Sequence, residues 1–315
     1  MERVHGLPQP INSRPTILTI GVFDGVHLGH QHLIKAVVKR AALLDYQSAV
    51  VTFDPHPDTI LHPGREHAYL TNLEERSSLI EALGVDLLIV LPFTHELMSW
   101  TAQEFMIRLC GAVAVRELWA GPDLAVGKRR EGDLKRLAEI GQTLGYSVHA
   151  IDTFLLSGQQ VRSTRIREFL RAGDIEAATV LLDRIFELRG EVIEGDKRGR
   201  TIGFPTANIH INPQHILPGD GVYVCYAIIH GERYGAVTNI GLRPTFAGTV
   251  RRFESYILDF SGDLYGEQLR IQFLRRLRGE MKFNSVSELV HQITDDVAVT
   301  RAYLAGRNVN RISKS

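Results

Sequence analysis

Residues 21–30, GVFDGVHLGH, compress two histidines and three glycines into a single turn. Histidines spaced three apart can present donors to an anion, and transfer of a nucleotidyl group needs fixed donors around the phosphates it rearranges. Ile17, Leu18 and Ile20 ahead of the turn predict a short buried strand. Gly21 and Gly25 permit a sharp reversal, and Leu33, Ile34 and Val37 within 31–39 keep helical spacing. A helix start therefore falls beside His27 and His30, where the first amides have no intrahelical acceptor and the helix dipole favours negative charge. Gly29 lets a phosphate approach the backbone. Taken alone, His-x-x-His spacing fits surface turn residues or metal ligands equally well.

Four other segments carry charge or stiff turns. In 52–57, TFDPHP, two prolines stiffen a loop bearing Asp54 and His56, which reads either as a pocket wall or as a rigid turn without chemistry. In 121–133, GPDLAVGKRREGD, Asp123 and Gly127 precede Lys128, Arg129 and Arg130, a set that suits phosphates or a solvated face. In 162–167, RSTRIR, Ser163 is placed to cap a helix while Ser163, Thr164 and Arg167 face an anion. In 195–208, GDKRGRTIGFPTAN, Gly195, Gly199 and Gly203 permit a close loop and Lys197, Arg198 and Arg200 supply charge. Thr206 and Asn208 there offer neutral oxygens of the kind that complete a Mg²⁺ shell. The same pattern on physics alone also describes an ordinary hairpin turn.

The elements that must position these residues divide into two textures. Apolar runs at 49–53, 87–91, 117–120 and 147–151 alternate with helical stretches at 32–44, 73–83, 102–109 and 133–144. The second helix opens with Thr71 and Glu74 in capping-box spacing. These are α/β units, so a parallel sheet covered on both faces is expected, with ligands beyond the carboxyl ends of its strands. From about Arg184 the pattern changes to period-two alternation at 190–194, 222–229, 234–240, 253–258 and 268–274. Such strands can close into a small antiparallel barrel, with 286–304 as a closing amphipathic helix and a polar tail fraying after Gly306.

Composition agrees with two domains, 1–183 and 184–315, because 315 residues at 44% hydrophobic content exceed one ordinary core. Lys plus Arg equals Asp plus Glu at 36 each, so no global field recruits nucleic acid or an acidic membrane surface. Cys110 and Cys225 both lie in apolar-rich segments and read as reduced core residues. No apolar run is long enough to span a bilayer, and residues 1–10 do not read as a targeting leader. The expectation is a soluble cytoplasmic protein.

The pattern Gly-x-Phe-Asp-x-x-His-x-Gly-His resembles the nucleotidylyltransferase signature, whose sheet is Rossmann-like. TIGVFDGVHLGHQ, VTFDPHP, a GxDxxxG loop and STRIRE occur here in the order found in bacterial bifunctional riboflavin kinase/FAD synthetases. The resemblance continues through GFPTAN, GVY, NIGLRPTF, Phe253-Glu254, DLYG and LRGEMKF, and covers nearly the whole chain. It implies a Rossmann-like FMN adenylyltransferase domain and a barrel that phosphorylates riboflavin to FMN, with ATP and Mg²⁺. It further implies that His27 and His30 contact ATP phosphates, with Gly21, Phe23, Asp24 and Gly29 completing the turn and Ser163, Thr164 and Arg167 holding phosphates. In the barrel it assigns Gly195, Lys197, Gly199, Thr206 and Asn208 to ATP and metal, and Glu254 to general-base work on the ribityl hydroxyl. Asp123 and Arg243 fall near the flavin, Arg243 in a flexible loop, and Arg275, Arg276 and Arg278 read as solvated charge. Leu124 and Val126 stand where the family loop has aromatics, and Arg162 replaces the first of two serines. Those departures predict looser flavin or adenine packing and an added charge near the anion. They motivate two alternatives, a monofunctional riboflavin kinase with a merely binding N-terminal half, and a flavin-responsive protein without chemistry.

Overall fold

The computed structural model describes residues 1–9, 12–64, 68–195, 198–245 and 248–312, in two compact units, Met1–Ser163 and Thr164–Ser315. The first unit is built on six parallel strands, β1 (Glu2–His5), β2 (Asn12–Ile20), β3 (Gln47–Asp54), β4 (Leu87–Pro92), β5 (Val113–Ala120) and β6 (Ser147–Ala150). Their order across the sheet is β1-β4-β3-β2-β5-β6, every pair parallel. Between them run α1 (Leu28–Leu44), α2 (Pro57–Leu61), α3 (Leu73–Glu81), α4 (His95–Ser99), α5 (Ala102–Ala112) and α6 (Leu134–Leu144).

The sheet is apolar on both faces because both faces are covered, which is why its strands read as continuous apolar runs. Leu18, Val51 and Ile89 pack with Met106 and Leu109 of α5 and Leu137 of α6. Their neighbours Ile17, Val50 and Leu88 pack on the opposite face with Ile34 and Val37 of α1 and Ile80 of α3. The chain leaves β2 toward β3 and β4 on one side and returns to β5 and β6 on the other. The carboxyl end of β2 is thus a topological switch point, where doubly wound sheets bind ligands, and the turn 21–30 begins there.

One expected cap moves by a residue. The capping box of α3 is Asn72 with Glu75, the two side chains and backbone N–H groups bonded reciprocally at 2.9 Å, and not Thr71 with Glu74. Thr71 is otherwise engaged, its hydroxyl accepting from the Gly25 N–H at 2.9 Å.

A short hairpin, β7 (Leu155–Leu156) and β8 (Gln159–Gln160), precedes α7 (Ser163–Ala172), which begins at the boundary of the two units. The second unit continues with α8 (Ile175–Leu182). Beyond α8 come β9 (Glu187–Ile193), the single turn α9 (Arg198–Thr201), β10 (Thr206–Ile211), β11 (Gly221–Ile229), β12 (Glu232–Thr245), β13 (Gly248–Ile257) and β14 (Gln268–Arg278). These strands form a closed antiparallel barrel in the order β10-β13-β12-β11-β14-β9, with β9 paired back to β10. Closure leaves no free edge. Tyr223, Phe253 and Phe273 pack on one another in edge contacts with ring centroids 5.4 and 5.8 Å apart. On the other side of β11, Val224, Tyr226 and Ile228 cluster with Leu304 of α10 (Val286–Ile312), so the strand is buried along its whole length. The helix runs past Gly306, where a frayed tail was expected, as far as Ile312. Among the described residues no helix is long and apolar enough to cross a membrane.

Two of the three arginines expected as solvated charge are instead built into this unit. Arg278 grips Asp296 of α10 through both carboxylate oxygens at 2.8–3.1 Å, and Arg276 donates to the carbonyls of Asp220 and Ala172. Both cations sit on β14 where it meets other elements, so their heads find fixed acceptors rather than water.

Candidate active sites

The turn after β2 is tight and mostly buried. Phe23 and Val26 take positive φ values of 54° and 37°, and Gly25 sits at 80°, where a Cβ would lie 2.7 Å from the Leu70 side chain. His27 is the N-cap of α1, its Nδ1 accepting from the His30 N–H at 3.4 Å. The two imidazoles stack with centroids 3.6 Å apart and planes 19° apart. The His30 ring also takes the edge of Phe23 at 5.2 Å. Phe23 is therefore a buried support behind the histidines, and Gly21 makes room for it, since a Cβ there would fall 2.9 Å from the Phe23 ring. At Gly29 a Cβ would meet His27 at 3.2 Å and the Val161 carbonyl at 3.4 Å, so glycine keeps the helix start uncrowded.

Burial, then His27, then Arg76 hold the His30 imidazole well below its ordinary pKa. In the free protein it is a neutral ring with a buried Nδ1 that has no hydrogen-bond partner. His30 therefore meets a phosphate first as a neutral donor.

Asp24, expected beside the phosphates, turns the other way. Its buried carboxylate accepts from the N–H groups of Leu70 and Thr71 at 3.0–3.1 Å and from the Thr71 hydroxyl at 3.2 Å. Arg76, one turn into α3, donates to the carbonyls of Val22 and Phe53 at 3.0 Å each. The phosphate turn is thus gripped by residues 70–76, which sequence reading did not single out. A signal existed, because Arg76 occupies the apolar stripe of α3 with Leu73 and Ile80, an improbable place for a solvated charge. In the 53–57 loop His56 is the N-cap of α2, accepting from the Asp58 N–H at 3.1 Å.

In the 121–133 loop the missing aromatics have a structural counterpart. Val126 is buried in the core over α5 and α6, and Leu124 packs against the same cluster. Gly127 and Gly132 let the loop approach Ala102, where a Cβ would fall 2.4 Å from its backbone or side chain. Asp123 is exposed, with its carboxylate 3.4 Å from Arg162 and 3.5 Å from Gln160, and its carbonyl accepts from Arg130 at 3.0 Å. Arg162 therefore ties hairpin and loop together. Ser163 is the first helical residue of α7 rather than its cap, and its hydroxyl donates to the Asp24 carbonyl at 3.0 Å. Thr164 and Arg167 follow in the same helix.

In the barrel, strand register does the assembling. Asn208 of β10 stands directly opposite Glu254 of β13, and Glu254 is opposite Asn239 of β12 on its other side. Directly paired residues project from one face, so the three form a row across three strands, with Thr206 two residues from Asn208 on the same side. Asn239 lies in the NIGLRPTF motif but was not singled out, since its place depends on register. Arg252 donates to one Glu254 carboxylate oxygen at 2.9 Å. The glycines of the preceding loop explain themselves here: a Cβ at Gly195 would lie 2.1 Å from the Asn208 amide, and one at Gly199 would lie 2.2 Å from the Phe204 carbonyl and 3.4 Å from the Thr206 hydroxyl. Arg243 and Pro244 lie at the end of β12, in register with Val250 and Thr249, rather than in a loop, because the β12–β13 ladder extends that far. Lys197 lies outside the described residues. Among the described residues no group of three or more His, Cys, Asp or Glu could hold a metal. Neutral oxygens from Thr206 and Asn208 fit Mg²⁺ that keeps its waters and the substrate's phosphates as its main ligands.

A doubly wound unit with a phosphate turn at its switch point, joined to a closed barrel with a carboxylate and amide row, defines a two-unit nucleotide-using transferase. The FAD synthetase family profile matches residues 9–165, and the riboflavin kinase profile matches residues 182–304. The chain is 38% identical to the bifunctional riboflavin kinase/FMN adenylyltransferase of Listeria monocytogenes over 291 residues, covering 92% of each. It is 38% identical to the one from Pseudomonas fluorescens over 97% of this chain and 98% of that protein, and 34% identical to the one from Escherichia coli over 95% and 96%. A crystal structure described as a macrolide-efflux protein from Streptococcus pneumoniae superposes with a TM-score of 0.87 at 33% identity, over 95% of this chain and 98% of that one. The chain belongs to the bifunctional riboflavin kinase/FMN adenylyltransferase family. With both profiles matched, the monofunctional alternative is not favoured.

Proposed function

We infer that this chain phosphorylates riboflavin to FMN and then transfers AMP from a second ATP to FMN, giving FAD and pyrophosphate. The division of labour is residues 184–315 for the kinase and 1–183 for the adenylyltransferase. The observation that carries the reading is the presence, in one chain, of the stacked His27–His30 pair at a helix start and the Asn208–Glu254–Asn239 row.

In the kinase step Glu254 accepts the proton of the terminal ribityl hydroxyl as its oxygen attacks the ATP γ-phosphorus and ADP leaves. Thr206 and Asn208 would hold Mg²⁺, which would supply neutralisation of the phosphate charge when bound. In the adenylyl step an FMN phosphate oxygen attacks the α-phosphorus and pyrophosphate leaves. His27, His30 and the first amides of α1 stabilise the charge that develops, aided by Ser163, whose hydroxyl already bonds the turn. Asp123 is assigned to the flavin of the first unit and Arg243 to that of the second. Cytoplasmic location is supported by Cys110 and Cys225 both being free thiols.

The test is chromatographic separation of flavins after incubation with riboflavin, ATP and Mg²⁺, and separately with FMN, ATP and Mg²⁺. FAD is expected in both. FMN accumulating in the first with no FAD in the second leaves a kinase alone, and chelation of Mg²⁺ is expected to stop both reactions.

A further inference from the structure

Arg76 is 2% exposed and keeps a charged head inside the first unit. Burying a cation is costly unless its hydrogen bonds are used, and these bonds go to two particular places. One guanidinium nitrogen donates to the carbonyl of Val22, in the phosphate turn that follows β2. The other donates to the carbonyl of Phe53, where β3 opens into the 53–57 loop, with the Asp54 carboxylate 3.8 Å away. Arg76 therefore spans the carboxyl ends of two adjacent parallel strands, where both candidate walls of the nucleotide site begin. The same stretch of chain grips the turn at two more points, Asp24 on Leu70 and Thr71, and Gly25 on Thr71. Its Nε is buried without a hydrogen-bond partner, as is Nδ1 of His30.

We propose that Arg76 is a positioning residue for adenylyl transfer, its two-carbonyl bridge fixing the spacing between the phosphate turn and the 53–57 loop. The proposal rests on the reading of the first unit as the adenylyltransferase. A fork that meets two carbonyls at once cannot be replaced by the point charge of lysine. The charge has a separate consequence. The groups acting on His30 are the stacked His27 and Arg76, and those acting on Arg76 are Asp24, Asp54, Tyr69 and Arg3. Removing the Arg76 cation raises the pKa of His30, so the acid limb of the FAD-forming rate moves to higher pH.

The experiment uses the full chain carrying R76Q or R76K, with His30→Ala in parallel. Steady-state FAD formation from FMN and ATP is followed against pH, FMN formation from riboflavin reports on the barrel unit, and a cooperative thermal unfolding transition of the first unit checks its fold. R76Q is expected to lower kcat for FAD formation about 100-fold, the cost of a misplacement near 1 Å, with the KM for ATP within a few-fold and the acid limb displaced upward. R76K is expected to lower kcat about tenfold while keeping the limb in place. FMN formation is unchanged in both. A kcat within twofold of the parent for both variants, with His30→Ala still lowering FAD formation by about 10²- to 10³-fold, overturns the proposal. If R76Q loses the first unit's unfolding transition, its fold is lost and R76K decides, a parental kcat again overturning it. If His30→Ala leaves FAD formation intact, the adenylyltransferase reading fails and the proposal falls with it.

Discussion

On the proposed reading, the turn after β2 in the first unit and the carboxylate row of the barrel both serve an ATP-dependent transfer, and they are built by opposite means. The turn uses backbone: residues at positive φ, a helix start and glycines where a Cβ would crowd its neighbours, with residues 22–25 gripped from behind by residues 70–76. The row uses side chains on consecutive strands, aligned by ladder register without unusual backbone. A site made of backbone depends on distant elements that never touch substrate. A site made of register depends on its strands and the loop that abuts them.

The sharpest way to break the comparison is through the two groups at its centre. Replacing Glu254 by Gln keeps the row's shape and removes the base, and should lower FMN formation by about 10²- to 10⁴-fold while FAD formation from supplied FMN persists. His30→Ala should lower FAD formation by about 10²- to 10³-fold and spare FMN formation. Rates of both products from each variant decide it, and either substitution stopping both reactions in folded protein means the sites are not separate.

Gly195→Ala sharpens the contrast. Its Cβ would collide with the movable Asn208 amide and not with backbone, so the row should shift rather than the fold. A fall in FMN formation of about tenfold, with an unchanged unfolding midpoint, is expected. Gly25→Ala, at a φ of 80° and 2.7 Å from Leu70, should instead reduce stability by about 1–3 kcal/mol, measured by chemical denaturation.

The smallest effect concerns pH. His30 is held neutral when folded and titrates near its ordinary 6.5 when unfolded. Below that pH the unfolded chain binds the extra proton, so stability falls as pH drops, by at most about 1.4 kcal/mol per unit for one group. His30→Phe should flatten this slope between pH 6.5 and the folded pKa, and an unchanged slope would show that another group sets it.

Much of this was legible in sequence because period carries fold. The two-sided apolar runs gave the parallel sheet, and alternation after Arg184 gave the barrel. Neither β10 nor the β12 extension was foreseen, because PTAN and RPT read as loop chemistry while the ladder overrode local preference. Of the sites, residues carrying unusual spacing were visible, His27, His30, Thr206 and Asn208 among them. Arg76 and the Asp24–Thr71 grip were not, since residues 24 and 71 are remote in sequence and meet only through the packing of α3 on the sheet. Asn239 needed register, which periodicity does not supply.

Strand β13 alternates between two occupations. Phe253, Ser255 and Ile257 are buried, with Ser255 bonded to Thr238 at 3.0 Å, while Glu254 and Tyr256 between them face the less covered side. Odd positions hold the barrel together and even positions face the chemistry, so the two sets can drift independently under substitution. Parity is what cannot drift. Insertion or deletion of a single residue within β13 would exchange the sets, sending a carboxylate inward and a phenylalanine outward, so this strand should tolerate many replacements and no change of length.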